Sequence, residues 1–69
     1  MDKNEYGLQM KLNGVYFEKR MKRPLRDVKS IAGKAFHVEA VQSVCVYDKD
    51  GVARLYLKKT PNGVQREER

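Results

Sequence analysis

Apolar and polar residues alternate at the start of the chain. Tyr6, Leu8, Met10 and Leu12 are separated by Gly7, Gln9 and Lys11, the two-residue period of a strand with one buried face. Asn13-Gly14 follows. Both residues accept positive φ, so the pair favours a type I′ turn and a tight hairpin. A two-residue loop fixes the register, with Leu12 facing Val15, Met10 facing Phe17 and Tyr6 facing Met21. All three pairs are apolar, which places Phe17 in the predicted core opposite Met10. Lys19 opposite Leu8 breaks the pattern and is expected near an edge. The other face of the hairpin carries Lys11, Tyr16, Glu18, Arg20 and Lys22.

The period then changes. Pro24 suits the first turn of a helix, where its missing N–H costs nothing. Leu25, Val28, Ile31, Ala32 and Ala35 recur at spacings of three and four, one apolar helical stripe. Asp27 near the start and Lys34 near the end both complement the macrodipole. The helix is expected to end near Phe36, with Arg26, Lys29, Ser30 and Lys34 facing water. A second hairpin follows. Val41 to Tyr47 and Val52 to Lys58 are rich in strand formers and flank Asp48-Lys49-Asp50-Gly51, read as a four-residue turn. That loop puts Val44 and Val46 on one face with Ala53, Leu55 and Leu57. Ser43, Cys45, Tyr47, Val52, Arg54, Tyr56 and Lys58 take the other. A three-residue loop would instead bury Cys45 and Tyr47 with Leu55. The longer loop is preferred because it leaves Arg54 and Lys58 in water.

These elements predict an α+β fold, β-β-α-β-β, with one helix packed on one face of an antiparallel sheet and the other face open. The single domain is expected over residues 5–59, after a disordered N-terminus of residues 1–4. Residues 60–69 are read as a loose charged tail, because Pro61 and Asn62-Gly63 stop a strand and nothing after them is periodic.

Size sharpens the picture. A chain of 69 residues buries only about 60% of its unfolded surface. A core of this size rarely yields more than roughly 3–5 kcal/mol. Cys45 is the only cysteine, so disulfides add nothing. With no signal-peptide pattern, a reducing, cytoplasmic setting is expected. No apolar run approaches the roughly 18 residues of a membrane span, so no membrane partner is expected. Fifteen Lys and Arg against nine Asp and Glu give a net charge of +6. Lys19, Arg20, Lys22, Arg23, Arg26, Lys29 and Lys34 lie within sixteen residues whose only acid is Asp27. Such a stripe attracts phosphate backbones or an acidic protein face. The plain alternative is a solvated surface that keeps a small protein soluble.

Candidate chemistry is sparse. The open sheet face is expected to gather Tyr16, Tyr47 and Tyr56 with Lys11, Arg20, Arg54 and Lys58. Exposed sheet aromatics flanked by cations stack single-stranded bases and hold their phosphates, although tyrosine is also simply a good strand former. The run Lys19 to Arg26 joins strand to helix and is a candidate phosphate clamp at a helix N-terminus. His37 and Glu39, expected on one side of a strand, are near Cys45 in sequence. No third orienting group or Gly-rich loop accompanies them, as an activated nucleophile requires. One Cys and one His cannot meet the ligand number of zinc. Asp48, Asp50 and Gly51 lack the remaining ligands of a calcium loop. No catalytic residue, metal site or cofactor is therefore expected.

The stretch from Pro24 to Ala32, then Phe36-His37, then Val44 to Tyr56, resembles small phage-encoded host-takeover proteins of the anti-CRISPR and host RNA polymerase inhibitor type. The resemblance covers about half the chain and is one of element layout. It implies a mobile-element origin, action in a host cell and a role as a stoichiometric binder, and it assigns no binding residues. Three readings follow. The first is an RNA or single-stranded DNA binding module using Lys11, Tyr16, Lys19, Arg20, Lys22, Arg23, Arg26, Lys29, Tyr47, Arg54, Tyr56 and Lys58. The second is an inhibitor that docks on an acidic face of a host complex. The third is an assembly protein that forms a homodimer through an exposed strand edge.

Overall fold

A computed structural model describes residues 5–69. The reading of residues 1–4 lies outside them. Five strands and one helix follow in the order β1 (Glu5–Leu12), β2 (Val15–Lys22), α1 (Leu25–Phe36), β3 (Val41–Asp48), β4 (Ala53–Thr60) and β5 (Gly63–Glu68). The strands make one antiparallel sheet in the order β2-β1-β3-β4-β5. The helix lies on one face, over β3 and β1, so the α+β fold expected from the sequence is the one observed.

The first hairpin has the register its turn dictates. Leu12 pairs with Val15, Met10 with Phe17, Leu8 with Lys19 and Tyr6 with Met21. Asn13 and Gly14 take φ of 50° and 83°, as a type I′ turn requires. A bulge at Leu12 in the β1–β3 pairing frees Gln42, whose Oε1 accepts the Gly14 N–H at 2.9 Å and ties the turn to β3.

The core lies between α1 and the middle of the sheet. Val28, Ala32 and Phe36 from the helix meet Leu8, Val41, Val44, Val46, Leu55 and Leu57. Pro24 sits one residue earlier than expected, at the N-cap, with φ −55° and ψ 149°. Its carbonyl still accepts the N–H groups of Asp27 and Val28. Because α1 sits over β1 and β3, the turn end of β2 is left uncovered. Phe17 is 51% exposed and Val15 55%, which corrects the placement of Phe17 in the core. Pairing with an apolar neighbour does not bury a residue unless something covers the face they share.

The second hairpin combines both loop lengths weighed above. The Asp48 N–H donates to the Val52 carbonyl at 3.0 Å, closing a loop of Lys49, Asp50 and Gly51, with Gly51 at φ 80°. The pairing then slips. Tyr47 faces Ala53, whereas Val46 faces Leu55 and Val44 faces Leu57. The extra residue, Arg54, restores the parity that the shorter loop would have inverted. Leu55 and Leu57 thus reach the core as expected, but Ala53 is exposed and faces Tyr47 instead of joining it.

The loose-tail reading of residues 60–69 is overturned. Thr60 pairs with Gly63, Leu57 with Arg66 and Leu55 with Glu68. Pro61 and Asn62 reverse the chain here instead of ending it, with Gly63 at φ 130° and the Thr60 hydroxyl donating to the Gly63 carbonyl. Val64 is the only apolar residue of β5, so hydrophobic alternation gave no signal. Lys29 is corrected with it. The residue expected to face water sets its Nζ 2.8 Å from the Glu68 carboxylate, fastening the helix to β5.

Candidate functional site

Antiparallel pairing sorts the candidate residues by face. On the open face, Arg20 of β2, Gly7 of β1 and Tyr47 of β3 stand in one row across the sheet. The next row runs Glu18, Gln9, Cys45, Tyr56 and Glu67, and the next Tyr16, Lys11, Ser43, Lys58 and Gln65. Lys22 opposes Glu5 at the far end. The three tyrosines do share this face, but in different settings. Tyr16 is 62% exposed, with the Lys11 ammonium 5.6 Å from its ring centroid. Tyr56 is half-buried between Cys45 and Glu67. Tyr47 leans across β1 into the space above Gly7. A Cβ on Gly7 would come within 2.6 Å of the ring. As hydrogen-bond acceptor and nearby negative charge, the Glu18 carboxylate pushes the Tyr47 hydroxyl above the usual phenol range, with partial burial adding to the shift and Arg20 opposing it.

The basic run wraps the edge of the sheet. Lys19 points to the helix side, Arg20 and Lys22 lie on the open face, Arg23 is in the connection and Arg26 is on α1. Lys19, Arg20, Met21, Arg23 and Ile31 line a cleft of about 310 Å³. No acid lines it. Arg20 reaches Glu5 only at 3.9 Å, and Arg26 reaches Asp27 at 3.8 Å while remaining 90% exposed. Lys19, Lys22 and Arg23 have no carboxylate within 4 Å among the described residues. Two other candidates are engaged in the fold. Lys29 holds Glu68. Arg54 sits 3.7 Å from Asp48 and donates to the Arg69 carbonyl.

A larger cleft of about 380 Å³ lies on the opposite flank of the helix, among Gly33, Phe36, His37, Leu57, Lys59, Val64 and Arg66. Its cations are occupied. Lys59 lies 5.2 Å from the Phe36 ring centroid and donates to the carbonyls of Val38 and Glu39. Arg66 pairs with Glu68 at 3.1 Å.

The residues weighed for catalysis are separated. His37 is the C-cap of α1 and Glu39 precedes β3, so neither is in a strand as expected. His37 is on the helix side and Cys45 on the open face. Partial burial pushes the Cys45 thiol up, away from the reactive thiolate. Asp48 Oδ1 accepts the N–H groups of Asp50 and Val52 at 2.9 and 3.0 Å, a turn-forming role. Among the described residues, no three His, Cys, Asp or Glu side chains cluster to hold a metal ion. None of the described helices is long and apolar enough to cross a membrane.

No family model, curated protein or solved structure matches the chain. The resemblance to phage-encoded inhibitors therefore rests on element layout alone. Gly7 is one of the open-face residues that the sequence reading left without a role. An isolated glycine inside an alternating strand signals a close approach by another group, and it was the available clue.

Proposed function

We propose that the chain is a non-catalytic module that binds RNA or single-stranded DNA. The phosphates sit at the corner where β2 runs into α1, and the bases lie over the open face. Uncompensated charge carries this reading. Lys19, Arg20 and Arg23 line one cleft with no acid in its wall, and Lys22 and Arg26 flank it on the adjoining elements. Cations without local partners attract a polyanion over a Debye length of about 8–10 Å at ordinary ionic strength. The open face beside the corner supplies Tyr16, Tyr47 and Tyr56, with Lys11 on β1 and Lys58 on β4. Aromatic faces accept any unpaired base, and phosphates hold the strand in register. The separation of His37 from Cys45 by the sheet supports the non-catalytic part.

The test is salt dependence. For the parent protein, log affinity for a short single-stranded oligonucleotide should fall with log salt by about 0.7 per phosphate contacted. Reversing Arg20, Lys22 and Arg23 to Glu should flatten that slope and weaken all sequences alike, because phosphate contacts carry no sequence information. A parent that binds no oligonucleotide at low salt refutes the proposal. So does a reversal that leaves oligonucleotide binding intact but abolishes capture of one acidic protein complex.

A further inference from the structure

The three tyrosines of the open face are not equivalent, and their differences single out one of them. Tyr56 lies opposite Glu67, whose charge repels the phosphate attached to any base stacked there. Tyr16 already has the Lys11 ammonium over its ring. It is also four residues along β2 from Arg20, roughly 13 Å at the rise of a strand, and so lies away from the corner cations. Tyr47 also has an acid nearby, Glu18, but it differs in its place relative to the corner cations. It belongs to β3, the central strand of the five. Its row holds Arg20 two strands away, about 10 Å at the usual strand spacing. The residue between them is Gly7, which has no side chain to stand in the way.

Gly7 leaves a notch in the open face, and the Tyr47 ring occupies it. The ring's Cε2 and Cζ lie 2.6 Å, and its hydroxyl oxygen 2.9 Å, from the point where a Cβ on Gly7 would be. Even alanine at position 7 would therefore displace the ring. A ring already seated against the backbone loses little further freedom when a ligand arrives, which is what makes a recognition surface effective.

Resting on the nucleic-acid reading above, we infer that Tyr47 is the principal base-stacking platform. Gly7 is its positioning residue, and Arg20 is the cation that receives the adjoining phosphate. The ligand class follows. A base reaches the ring only if it is unpaired, so the surface selects a single strand or the loop of a folded RNA over a duplex. Discrimination among the four bases is weak, because stacking uses the π face that all of them share.

The experiment uses the whole chain, with short oligothymidine and the corresponding duplex as probes, at several salt concentrations. Titrating oligothymidine into the unmodified protein should shift the Tyr47 ring-proton resonances upfield, more than those of Tyr16 or Tyr56. Tyr47→Ala should weaken single-strand binding by about five- to a hundredfold and leave the salt slope unchanged. Gly7→Ala should weaken it in the same manner by lifting the ring. Tyr47→Phe keeps the ring and should stay within about twofold of the parent. Thermal melts of each variant identify any loss that reflects unfolding, and the resonance shifts need no variant. Salt-dependent binding by the parent, with no shift at Tyr47 and a folded Tyr47→Ala within about twofold, would overturn the platform and leave the phosphate-binding reading standing. Absence of binding by the parent at low salt overturns both. A duplex that binds as tightly as the single strand overturns the platform and the single-strand preference in the reading above, and leaves only phosphate binding.

Discussion

The same substitution at two phenylalanines tests how the helix sits on the sheet. Phe36 is 8% exposed within the core cluster, and Phe17 is 51% exposed at the turn end of β2. Phe36→Ala removes a ring enclosed by helix and sheet, which costs about 3–5 kcal/mol as lost burial plus a cavity. That is comparable to the roughly 3–5 kcal/mol that a single core of this size supplies, so the variant should be largely unfolded at room temperature. Phe17→Ala loses only about half the benefit of full burial, itself about 1.5–3 kcal/mol for a large apolar side chain. It leaves no enclosed void. The expected cost is about 0.7–1.5 kcal/mol. At about 4–8 °C per kcal/mol for a domain this small, it should melt roughly 3–12 °C below the parent. Urea titrations followed by circular dichroism measure both, at two protein concentrations, because burial of Phe17 in a dimer would make its cost concentration-dependent. Equal losses at the two positions, independent of concentration, would mean that something covers β2 and that the helix placement is wrong.

Other expectations follow from local geometry. Gly14 has φ 83°, and a Cβ there would meet nothing within 4 Å. Gly14→Ala should therefore cost only the backbone penalty, about 1–2 kcal/mol, with binding unchanged per folded molecule. The Glu68 carboxyl is held below its ordinary range, first by the hydrogen bond from Lys29 and then by that from Arg66. A depressed carboxylate stabilises above its unfolded pKa and loses that contribution as pH falls through the folded value. Hydrogen exchange of β5 amides should accelerate in that acid window, and Glu68→Gln should remove the step. Cys45 should alkylate more slowly than a free cysteine peptide at mildly alkaline pH, because burial raises its thiol. Equal rates would place it on the surface.

How much of this was legible in the sequence depends on the range of the interaction concerned. The first hairpin is local, so Asn13-Gly14 and the flanking alternation specify the observed register residue by residue. The second hairpin is local too, but the bulge at Arg54 compensates for its shorter loop. The faces of Leu55 and Leu57 came out right although the turn did not. β5 was missed because an edge strand pairing through its backbone needs no apolar period. Gln65 and Glu67 serve the open face as well as any residue. The Tyr47 seat was illegible for another reason. It requires β3 to lie beside β1, and pairing between strands so far apart leaves no signature in one sequence. Lys29 and Arg54 read as free cations in the sequence, because Glu68 and the Arg69 carbonyl that engage them belong to a segment taken for a tail.

The two edges of the sheet supply a final test, since they solve one problem in different ways. An exposed edge strand must be kept from pairing with other chains, and charge is a common means. At β5 that charge is balanced, with Lys29 and Arg66 both meeting Glu68. At β2, Lys19, Lys22 and Arg23 have no such partners among the described residues. Edge protection does not require the imbalance, and like charges gathered on one corner repel one another. Replacing Lys19 and Arg23 by Glu, neither of which has an acid paired across from it, should therefore leave stability unchanged or raise it slightly at low salt. The difference should vanish as salt shortens the screening length to about 3 Å near 1 M. Oligonucleotide affinity should fall in the same variant. Opposite signs for stability and binding mark a surface kept for a partner at some cost to the fold. If the double variant is instead destabilised at low salt, the corner cations are serving the fold, and the charge argument for a polyanion fails.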